Sequence, residues 1–396
     1  MAGPLDGTKV VDITTNISGP SLTMILADLG AEVIKIERSG TGDDSRRMGP
    51  MWNGEGAFFL QINRNKRSIV VDLKKEDGKR IVKRFVKEAD VFVENFRFGK
   101  AEQLGLGYED LKELNPQLIY ASINAYGNKG PMKEKPGYDA VVQADTGIMG
   151  MNGTENSEIS RVPVSILDQG SAIWGALAVV SAILSRNRIE TGQKVETSLY
   201  ETGVFWSSYN LMSHLVTGEE PKKMGSNHAA FTPYGVFQTA TEPIMIGVSN
   251  DQLFKKLCVA LEKEMWSEDD RFRHNQQRIT NRNELNYEIE KVLKSQEATY
   301  WADKLDLNGV PSAIIRKISD VATNEQTEQL SMLQDVEHST IDNLKLYRLP
   351  ISFSGNSTSL RKGPPLLGED TKDILKEFGY DEVSIKHFIK SGVVNS

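Results

Sequence analysis

Short apolar segments alternate with helical patterns over roughly the first hundred residues, and this alternation limits the possible folds more than any other feature of the chain. Four of the segments have strand length: KVVDI (9–13), AEVIKIE (31–37), SIVVDL (68–73) and DVFVENF (90–96). Because strands that are separated by helices form βαβ units, we predict an α/β protein with a mostly parallel, Rossmann-like sheet.

The sequence changes character near Gly225, and this change predicts a second domain. The segment TPYGVFQTATEPIMIGVSN has the pattern of a hairpin, and the residues after it are rich in helical periodicity. A chain of 396 residues is also too long for one simple core. We therefore predict a large domain over residues 1–224, a smaller α+β domain over 225–320, and a C-terminal segment over 321–396 with two short helices.

Composition argues against several classes of function. The net charge of −7 gives no reason to expect nucleic acid or an anionic membrane as a partner. The single cysteine, Cys258, excludes an internal disulfide framework and is expected to be a buried thiol, and the five histidines lack the spacing of a metal site. The N-terminal residues lack a signal-peptide pattern, and no run has the ~20 apolar residues that span a bilayer, so we expect a cytoplasmic protein.

One carboxylate stands inside the most apolar part of the chain. Asp168 lies in RVPVSILDQGSAIWGALAVVSAIL (161–184), between the predicted buried strand PVSIL and a predicted buried helix. An aspartate there is a preferred N-cap, whose side chain accepts hydrogen bonds from free backbone N–H groups. It would also suit a nucleophile, because a helix N-terminus lowers the pKa of a carboxyl group and favours its ionised form. The local pattern leaves both roles open.

Weaker signals lie at the predicted carboxyl ends of the strands, where open α/β sheets bind ligands. The loop and helix start in VVDITTNISGP suit a phosphate group. Arg38 after the second strand is either a contact for a ribose phosphate or a solvated charge at the strand end. The cluster NRNKR (63–67) indicates either a solvated edge or the lining of a cleft for an anion. Arg97 follows a buried strand, and Tyr138 is typical of a packing aromatic as well as of a ligand contact.

Taken in order, these segments resemble the family III CoA-transferases of the CaiB/BaiF type, which include formyl-CoA transferase and carnitine CoA-transferase. The resemblance rests on PLDGTKVVDIT, LADLGAEVIKIER, NRNKRSIVVDLK, ADVFVENFRFG, GYDAVVQADTGIMG, the Asp168 segment and GQKVETSLYE, and it extends to GPPLLGEDTKDILKEFGY near the C-terminus. It implies an enzyme that moves CoA from an acyl-CoA donor to a carboxylic acid. Coenzyme A is then a substrate, and no permanently bound cofactor or metal is expected.

The resemblance also implies roles for individual residues. Asp168 falls on the family's nucleophilic aspartate, which forms a mixed anhydride and then an aspartyl-CoA thioester. The residues that match CoA-contact positions are Ile17, Ser18, Arg38, Val71, Asp72, Leu73, Lys74, Asn95, Phe96, Arg97, Gln103, Tyr138 and Asp139. Ile17 replaces the glutamine of the formyl-CoA enzyme. Gln103 stands where the family often has an arginine, so Arg97 is the alternative phosphate contact.

A further implication of the resemblance concerns assembly. Members of the family form interlocked homodimers in which each chain threads the other and both chain ends build the large, CoA-binding domain. The segment 321–396 is then expected to return to the large domain.

Four other functions are compatible with parts of the sequence, and one of them is a CoA-acyl lyase or hydratase built on the same fold. An α-methylacyl-CoA racemase shares the fold and the CoA site, but it has a histidine in GHD where this chain reads GYD (137–139). A tyrosine, with an ordinary pKa of roughly 10, is poorly matched to proton abstraction at neutral pH. A nucleotide-dependent oxidoreductase would carry a glycine fingerprint that this chain lacks, and a non-catalytic CoA-binding protein would not need Asp168.

The sequence says least about the substrate. The glycine-rich loop of the formyl-CoA enzyme has no counterpart, since the chain reads MGSNHAAFTPYGVFQT (224–239), and this argues against formate and oxalate. His228 in this segment is either a contact for the distal group of the acceptor or an ordinary loop histidine. We expect a succinyl-CoA donor and a small dicarboxylic or hydroxycarboxylic acid as acceptor.

Overall fold

The computed structural model describes residues 3–358 and 360–395. The strands, in chain order, are β1 (Lys9–Asp12), β2 (Glu32–Glu37), β3 (Met51–Trp52), β4 (Glu55–Gly56), β5 (Lys66–Val71), β6 (Val91–Glu94), β7 (Ile119–Asn124), β8 (Lys194–Ser198), β9 (Tyr234–Phe237), β10 (Ile244–Gly247), β11 (Ser312–Ile314), β12 (Leu333–Asp335), β13 (Lys345–Tyr347) and β14 (Val394–Asn395). The α-helices are α1 (Ser18–Asp28), α2 (Ala57–Ile62), α3 (Glu76–Val86), α4 (Lys100–Gln103), α5 (Tyr108–Leu114), α6 (Asp139–Asp145), α7 (Ile148–Met151), α8 (Ile166–Ile189), α9 (Leu199–Trp206), α10 (Ser208–Thr217), α11 (Asp251–Ala260), α12 (Asn275–Thr280), α13 (Arg282–Leu293), α14 (Ala298–Leu307), α15 (Ile318–Ala322), α16 (Glu325–Gln329), α17 (Thr371–Glu377) and α18 (Glu382–Lys390). Short 3₁₀ helices occupy Asp44–Arg47 and Glu264–Ser267.

A seven-stranded sheet forms the centre of the first of two compact units, which comprises the chain up to Thr146, Val162–Tyr209 and the chain from Glu325 onward. The strand order is β14-β5-β2-β1-β6-β7-β8. The six strands from β5 to β8 are parallel, whereas β14 pairs antiparallel with β5. The predicted α/β class with a mostly parallel sheet is therefore confirmed, and the C-terminal edge strand is an addition that the sequence did not predict.

The direction in which strands are added reverses at β1. The chain first builds outward through β2 and β5, and it then returns to place β6, β7 and β8 on the other side of β1. In this register Val10 of β1 lies between Val33 of β2 and Val91 of β6. Such a reversal opens a crevice at the carboxyl ends of the strands, which is where open α/β sheets bind ligands.

Helix α8 crosses the first unit against α1, β7 and β8. Small residues make the approach of α1 possible, because a Cβ atom on Gly175 would lie 2.4 Å from Leu22 Cδ1. At the start of α1, a Cβ atom on Gly19 would lie 2.4 Å from Thr14 Cβ, so the loop after β1 packs directly on the helix. These close contacts bring the first turn of α8 next to the first turn of α1.

The segment before α8 differs from the prediction. PVSIL forms no strand, and the helix begins within it at Ile166. Among the described residues, α8 is the one helix that is long and apolar enough to cross a membrane by length and composition, with a mean hydropathy of 1.5. A core helix passes the same test, so this observation is weak evidence for a membrane span.

The second compact unit comprises Gly147–Arg161 and Asn210–Asn324. It contains the antiparallel sheet β11-β10-β9, and β9 and β10 form the hairpin that the sequence predicts. Its core includes the side chains of Phe237, Phe254 and Trp301, and the predicted buried thiol of Cys258 is 1% exposed. The predicted domain limits at residues 224 and 320 remain a prediction, and the two compact units begin and end at other residues.

Candidate active site

A cavity of about 260 Å³ opens in the first unit at the carboxyl ends of β1, β6 and β7. Its lining comes from the loops after these three strands, from the segment that precedes α6, and from the first turns of α1, α8 and α9. The lining residues are Thr15, Asn16, Ser18, Asn95, Phe96, Arg97, Phe98, Ile123, Asn124, Ala125, Lys133, Glu134, Lys135, Pro136, Gly137, Tyr138, Asp168 and Leu199. The cavity thus occupies the crevice at which the order of strand addition reverses.

The loop after β1 is held in one conformation against the end of β6. The backbone N–H of Thr15 donates to Asn95 Oδ1 at 3.0 Å, and Asn95 Nδ2 donates to the Thr15 carbonyl at 2.8 Å. Asn16 has a left-handed backbone with φ of 68°, and its N–H donates to Asp43 Oδ1 at 3.0 Å. Ser18 and Asn95, which the sequence assigned to CoA contact, both line the cavity.

Asp168 is the third residue of α8 and is not its N-cap, which is Ser165. The capping carboxylate belongs to Asp139, the first residue of α6. Asp139 Oδ2 accepts hydrogen bonds from the backbone N–H groups of Leu167 at 2.7 Å and of Asp168 at 3.1 Å. The N-cap interpretation of Asp168 is therefore wrong. Another residue satisfies the helix start, and the Asp168 carboxylate is left to face the cavity.

The environment of Asp168 raises its pKa. Burial and then the charge of Asp139 raise the pKa of Asp168 to about 7, although a hydrogen bond from the Ser18 hydroxyl acts in the opposite direction. The sequence-based expectation of a lowered pKa at a helix start is therefore wrong, because desolvation and a neighbouring carboxylate outweigh the helix dipole. A carboxylate with this pKa is both ionised in part and more basic than an ordinary aspartate at neutral pH.

Basic side chains surround the mouth of the cavity. Arg97 is exposed, Lys133 Nζ lies 4.7 Å from the centre of the Phe98 ring, and Lys135 Nζ forms an ion pair of 2.8 Å with Asp145. Such groups suit the phosphates of a nucleotide-like ligand. Arg97 was predicted from the sequence but the two lysines were not, although NKGPMKEKPGYD places them shortly before the Gly-Tyr-Asp segment.

Several predicted contacts do not line the cavity. Ile17 is the N-cap residue of α1, Arg38 is exposed and pairs with Asp44, and Gln103 is the exposed last residue of α4. The segment Val71 to Lys74 ends β5 and turns beside β14, with the Asp72 N–H donating to the Val393 carbonyl at 2.8 Å. These residues lie at the same carboxyl edge of the sheet but outside the cavity, so their contact with CoA remains a prediction.

The basic cluster NRNKR (63–67) is neither a solvated edge nor a cleft lining over most of its length. Arg64 forms an ion pair of 2.6 Å with Asp28, and Lys66 forms one of 3.1 Å with Asp12; all four side chains are buried. Both interpretations of this cluster are corrected for these two residues, because their charges are neutralised inside the protein.

Within residues 3–358 and 360–395, no group of three or more histidine, cysteine, aspartate or glutamate side chains could hold a metal ion.

Comparison with known proteins identifies the class to which this fold and site belong. The model of CoA-transferase family III matches residues 5–371. The succinyl-CoA:glutarate CoA-transferase of Mus musculus is 36% identical over 393 residues, which cover 99% of this chain and 90% of that protein. The acetyl-CoA:oxalate CoA-transferase of Acetobacter aceti is also 36% identical, over 96% of this chain and 97% of that protein.

A solved structure supports the same family assignment. The crystal structure of a CaiB/BaiF family protein from Brucella suis has a TM-score of 0.86 and 35% identity, and the match covers 96% of this chain and all of that one. The chain belongs to CoA-transferase family III. It is a CoA-transferase, an enzyme class that moves CoA between acyl-CoA thioesters and carboxylic acids, and the resemblance found in the sequence is confirmed.

Proposed function

We propose that the protein transfers CoA through covalent intermediates on Asp168. The observation that carries this proposal is the placement of its carboxylate. It is partly buried at the wall of the cavity, receives a hydrogen bond from Ser18, and is released from helix capping by Asp139. A nucleophilic carboxylate needs this combination, because it must be ionisable, oriented and shielded from bulk water.

The chemistry proceeds in two halves. An Asp168 carboxylate oxygen attacks the thioester carbonyl of the donor and expels CoA thiolate, which leaves a mixed anhydride. The thiolate then attacks the side-chain carbonyl of Asp168, releases the donor acid and forms an aspartyl-CoA thioester. The acceptor carboxylate repeats these steps in reverse, so that acceptor-CoA leaves and the Asp168 carboxylate is restored. The cations at the cavity mouth, together with Arg38, would hold the phosphates of CoA through all four steps.

For the substrates, we propose succinyl-CoA as donor and a small dicarboxylate such as glutarate as acceptor. Support comes from the name of the mouse relative, which covers almost the whole chain. A relative named for oxalate has the same identity, so the degree of similarity alone does not select the acid. No observation in the structure favours the racemase alternative.

We expect purified protein to convert succinyl-CoA and glutarate to glutaryl-CoA and succinate, and to show the parallel-line kinetics of a covalent CoA-enzyme. Product acyl-CoA species are measured by liquid chromatography and mass spectrometry, with oxalate, malate and pentanoate as comparison acceptors. Without any acceptor, hydrolysis of succinyl-CoA should be much slower than exchange. If no acid in the panel accepts CoA from any acyl-CoA donor, the proposed function is wrong.

Asp139→Asn is expected to shift the pH dependence of the donor half-reaction to lower pH. The asparagine oxygen still accepts the N–H groups of α8, but the negative charge that helps to raise the pKa of Asp168 is removed. Since Asp168 must be ionised to attack, wild-type activity should rise with an apparent pKa of about 7, and the variant should reach its plateau earlier. Release of succinate from succinyl-CoA between acid and alkaline pH measures both profiles.

Asp139→Ala is the control that separates charge from capping. It should show the same acid shift, but it should also lose about 0.5–2 kcal/mol of stability and some kcat, because the first turn of α8 loses its cap. An unchanged profile, or a shift to higher pH in the asparagine variant, would show that Asp139 does not influence the nucleophile.

We further propose that the protein is a homodimer, of the interlocked type that the resemblance implies. Large apolar side chains stand exposed along α8, with Ile173 at 54%, Leu177 at 55% and Leu184 at 61% exposure. An apolar face of this kind on a first-unit helix suits burial against a second copy of the chain. Sedimentation velocity distinguishes the dimer from a monomer.

A further inference from the structure

The side chain of Gln143 in α6 is a fully buried amide whose oxygen and nitrogen both have hydrogen-bond partners. Its Oε1 accepts the backbone N–H of Val162 at 2.9 Å, and this contact fixes which end of the amide is the oxygen. Its Nε2 donates to Asp139 Oδ1 and makes a longer hydrogen bond of 3.4 Å to the Val162 carbonyl. Burial of an amide is costly without such partners, and here the partners also set its orientation.

Asp139 uses its two carboxylate oxygens for two different parts of the protein. Oδ1 accepts from Gln143, which lies one turn further along α6 on the same face of the helix. Oδ2 accepts from the backbone N–H groups of Leu167 and Asp168 in the first turn of α8. The last torsion of an aspartate side chain has broad preferences, so hydrogen bonds to one oxygen alone would restrain its rotation only weakly. With both oxygens bonded, the carboxylate is held on the start of α8.

The same amide holds the chain just before α8. Val162 precedes Ile166, the first residue of the helix, and both its N–H and its carbonyl bond to Gln143. Gln143 therefore joins the segment that leads into α8 to the carboxylate that caps it, and all of these residues belong to the first compact unit. These contacts fix the position of Asp168 in the cavity wall. Displacement of a reacting group by about 1 Å can lower a rate by about a hundred-fold.

Asn115 is a comparator for an amide that stabilises the fold of the same unit. Its Nδ2 donates to the carbonyls of Val86 and Ala89 at 2.9 and 2.8 Å, and its Oδ1 accepts the N–H of Gln117 at 3.1 Å. These bonds connect backbone groups. Gln143 differs because one of its partners is a carboxylate that is itself bonded to the backbone of the proposed nucleophile.

We propose that Gln143 is a positioning residue for CoA transfer, which acts through Asp139 to hold the Asp168 carboxylate in the orientation for attack. The inference rests on the proposed function, in which Asp168 is the nucleophile. Gln143 is fully buried outside the described lining of the cavity, so no contact with CoA or with the acyl group is expected of it. Its loss should therefore slow the chemical step and leave substrate binding almost unchanged.

Gln143→Met tests this role, because methionine has a similar length and shape but cannot donate to Asp139. The maximal rate of succinate release from succinyl-CoA should fall by about ten- to a hundred-fold, while KM for succinyl-CoA stays within about two-fold of the wild-type value. The adduct that borohydride traps on Asp168 should still form, but more slowly by the same factor. A maximal rate within about two-fold of wild type, or a loss that appears only in KM, overturns the proposal.

Asn115→Leu is the matched control for stability. Both variants should melt at a lower temperature than wild type, because each loses hydrogen bonds within the first unit. Only Gln143→Met should lose succinate release. An equal loss of this rate in Asn115→Leu would mean that reduced stability alone slows the reaction, and would overturn the positioning role.

A cycle of single and double variants shows whether Gln143 acts through Asp139. In an Asp139→Ala background there is no carboxylate to hold, so Gln143→Met should change the rate by less than about two-fold. An equal loss in both backgrounds would mean that Gln143 acts only through Val162 or the fold, and would overturn the proposal. If the methionine variant does not fold, Gln143→Asn carries both measurements. It keeps the amide, but with one methylene less it cannot reach Asp139 and Val162 together.

Failure of the positioning role is distinguishable from failure of the proposed function. An adduct on Asp168 in wild type, together with a wild-type rate in Gln143→Met, would refute the positioning role alone. Robust exchange without an adduct on Asp168 in wild type would refute the covalent function, and the positioning role would fall with it because Gln143 would have no nucleophile to hold.

Discussion

Asp168→Asn is expected to lower the rate of CoA exchange by about 10⁴-fold or more, because the amide cannot form the anhydride or the thioester. The substitution is nearly isosteric, and the cap of α8 is supplied by Asp139, so the fold should persist. Exchange of CoA from succinyl-CoA to glutarate measures the loss. CoA affinity, measured by calorimetry, should remain close to that of wild type.

The same variant should be more stable than wild type at neutral pH. The pKa of Asp168 is about 7 in the folded protein, above the ordinary aspartate value of 3.8, so the folded state holds the proton more tightly than the unfolded state. Stability therefore falls as pH rises from about 4 to about 7, where the buried carboxylate becomes ionised. An asparagine does not ionise and escapes this loss. The melting temperature of the variant should therefore exceed that of wild type, and by more at pH 7 than at pH 5. A structural carboxylate would give the opposite result.

Chemical trapping identifies the intermediate directly. Borohydride added to wild type with an acyl-CoA should reduce the aspartyl thioester to homoserine, since it does not reduce a free carboxylate, and hydroxylamine should leave a hydroxamate on the same residue. Asp139→Asn, which keeps the nucleophile, should be labelled like wild type. Robust exchange with neither adduct on the peptide that contains SILDQG would refute covalent catalysis by Asp168.

The sheet could be predicted from the sequence because most of its strands have a recognisable local pattern of apolar residues. The parallel strands from β1 to β7 each contain buried apolar residues between helical patterns, and burial on both faces favours such residues. β14 has only two residues, Val394 and Asn395, and it forms by pairing with β5 more than three hundred residues away. A strand this short has no local pattern, so it could not be predicted.

The site was predictable in part for a similar reason. Asn95, Phe96 and Arg97 directly follow a strand, and the strand's carboxyl end fixes their position at the cavity. The cap of α8 depends instead on hydrogen bonds from the backbone N–H groups of Leu167 and Asp168 to the distant Asp139 carboxylate. The sequence around Asp168 does not indicate this partner. Local preference therefore suggested that Asp168 caps its own helix, and the tertiary partner reversed that assignment.

Burial explains the error over the basic cluster. A run such as NRNKR is normally solvated, and its composition does not reveal that its acidic partners lie in a strand and a helix elsewhere in the chain. Asp12, the last residue of β1, and Asp28, the last of α1, meet Lys66 and Arg64 inside the first unit. Charges from distant segments neutralise each other there, and one of the pairs supports the loop that forms the cavity wall.

This supporting network contains four charged side chains with no exposed surface. Lys66 Nζ donates to Asp12 Oδ2 at 3.1 Å, and Lys35 Nζ pairs with Asp43 at 2.8 Å and donates to the Thr14 carbonyl at 2.9 Å. Burial alone would raise the pKa of Asp12, but the charges of Lys35 and Lys66 lower this pKa to about 2. Removal of one charge therefore leaves its partners buried without compensation.

Asp12→Asn is expected to lower the free energy of unfolding by about 3–5 kcal/mol at pH 7, the usual cost of breaking a buried ion pair from one side. The shape is preserved, so lost charge rather than lost packing causes the effect. Because the pKa of Asp12 is lower in the folded state than in the unfolded state, its stabilisation exists above about pH 4 and is lost as pH falls toward 2. The difference in urea unfolding between wild type and variant should therefore shrink as the pH is lowered from about 4 toward 2.

Two further variants test whether the loss of stability comes from the buried ion-pair network or only from the removal of one negative charge. Asp77→Asn breaks an exposed ion pair of 2.8 Å with Arg80 and should cost at most about 1 kcal/mol, since solvent screens such a pair. The double variant Asp12→Asn with Lys66→Met should recover part of the loss, because it also removes the cation that the single variant leaves without its carboxylate. If Asp12→Asn costs no more than Asp77→Asn, the buried charges do not stabilise the cavity loop.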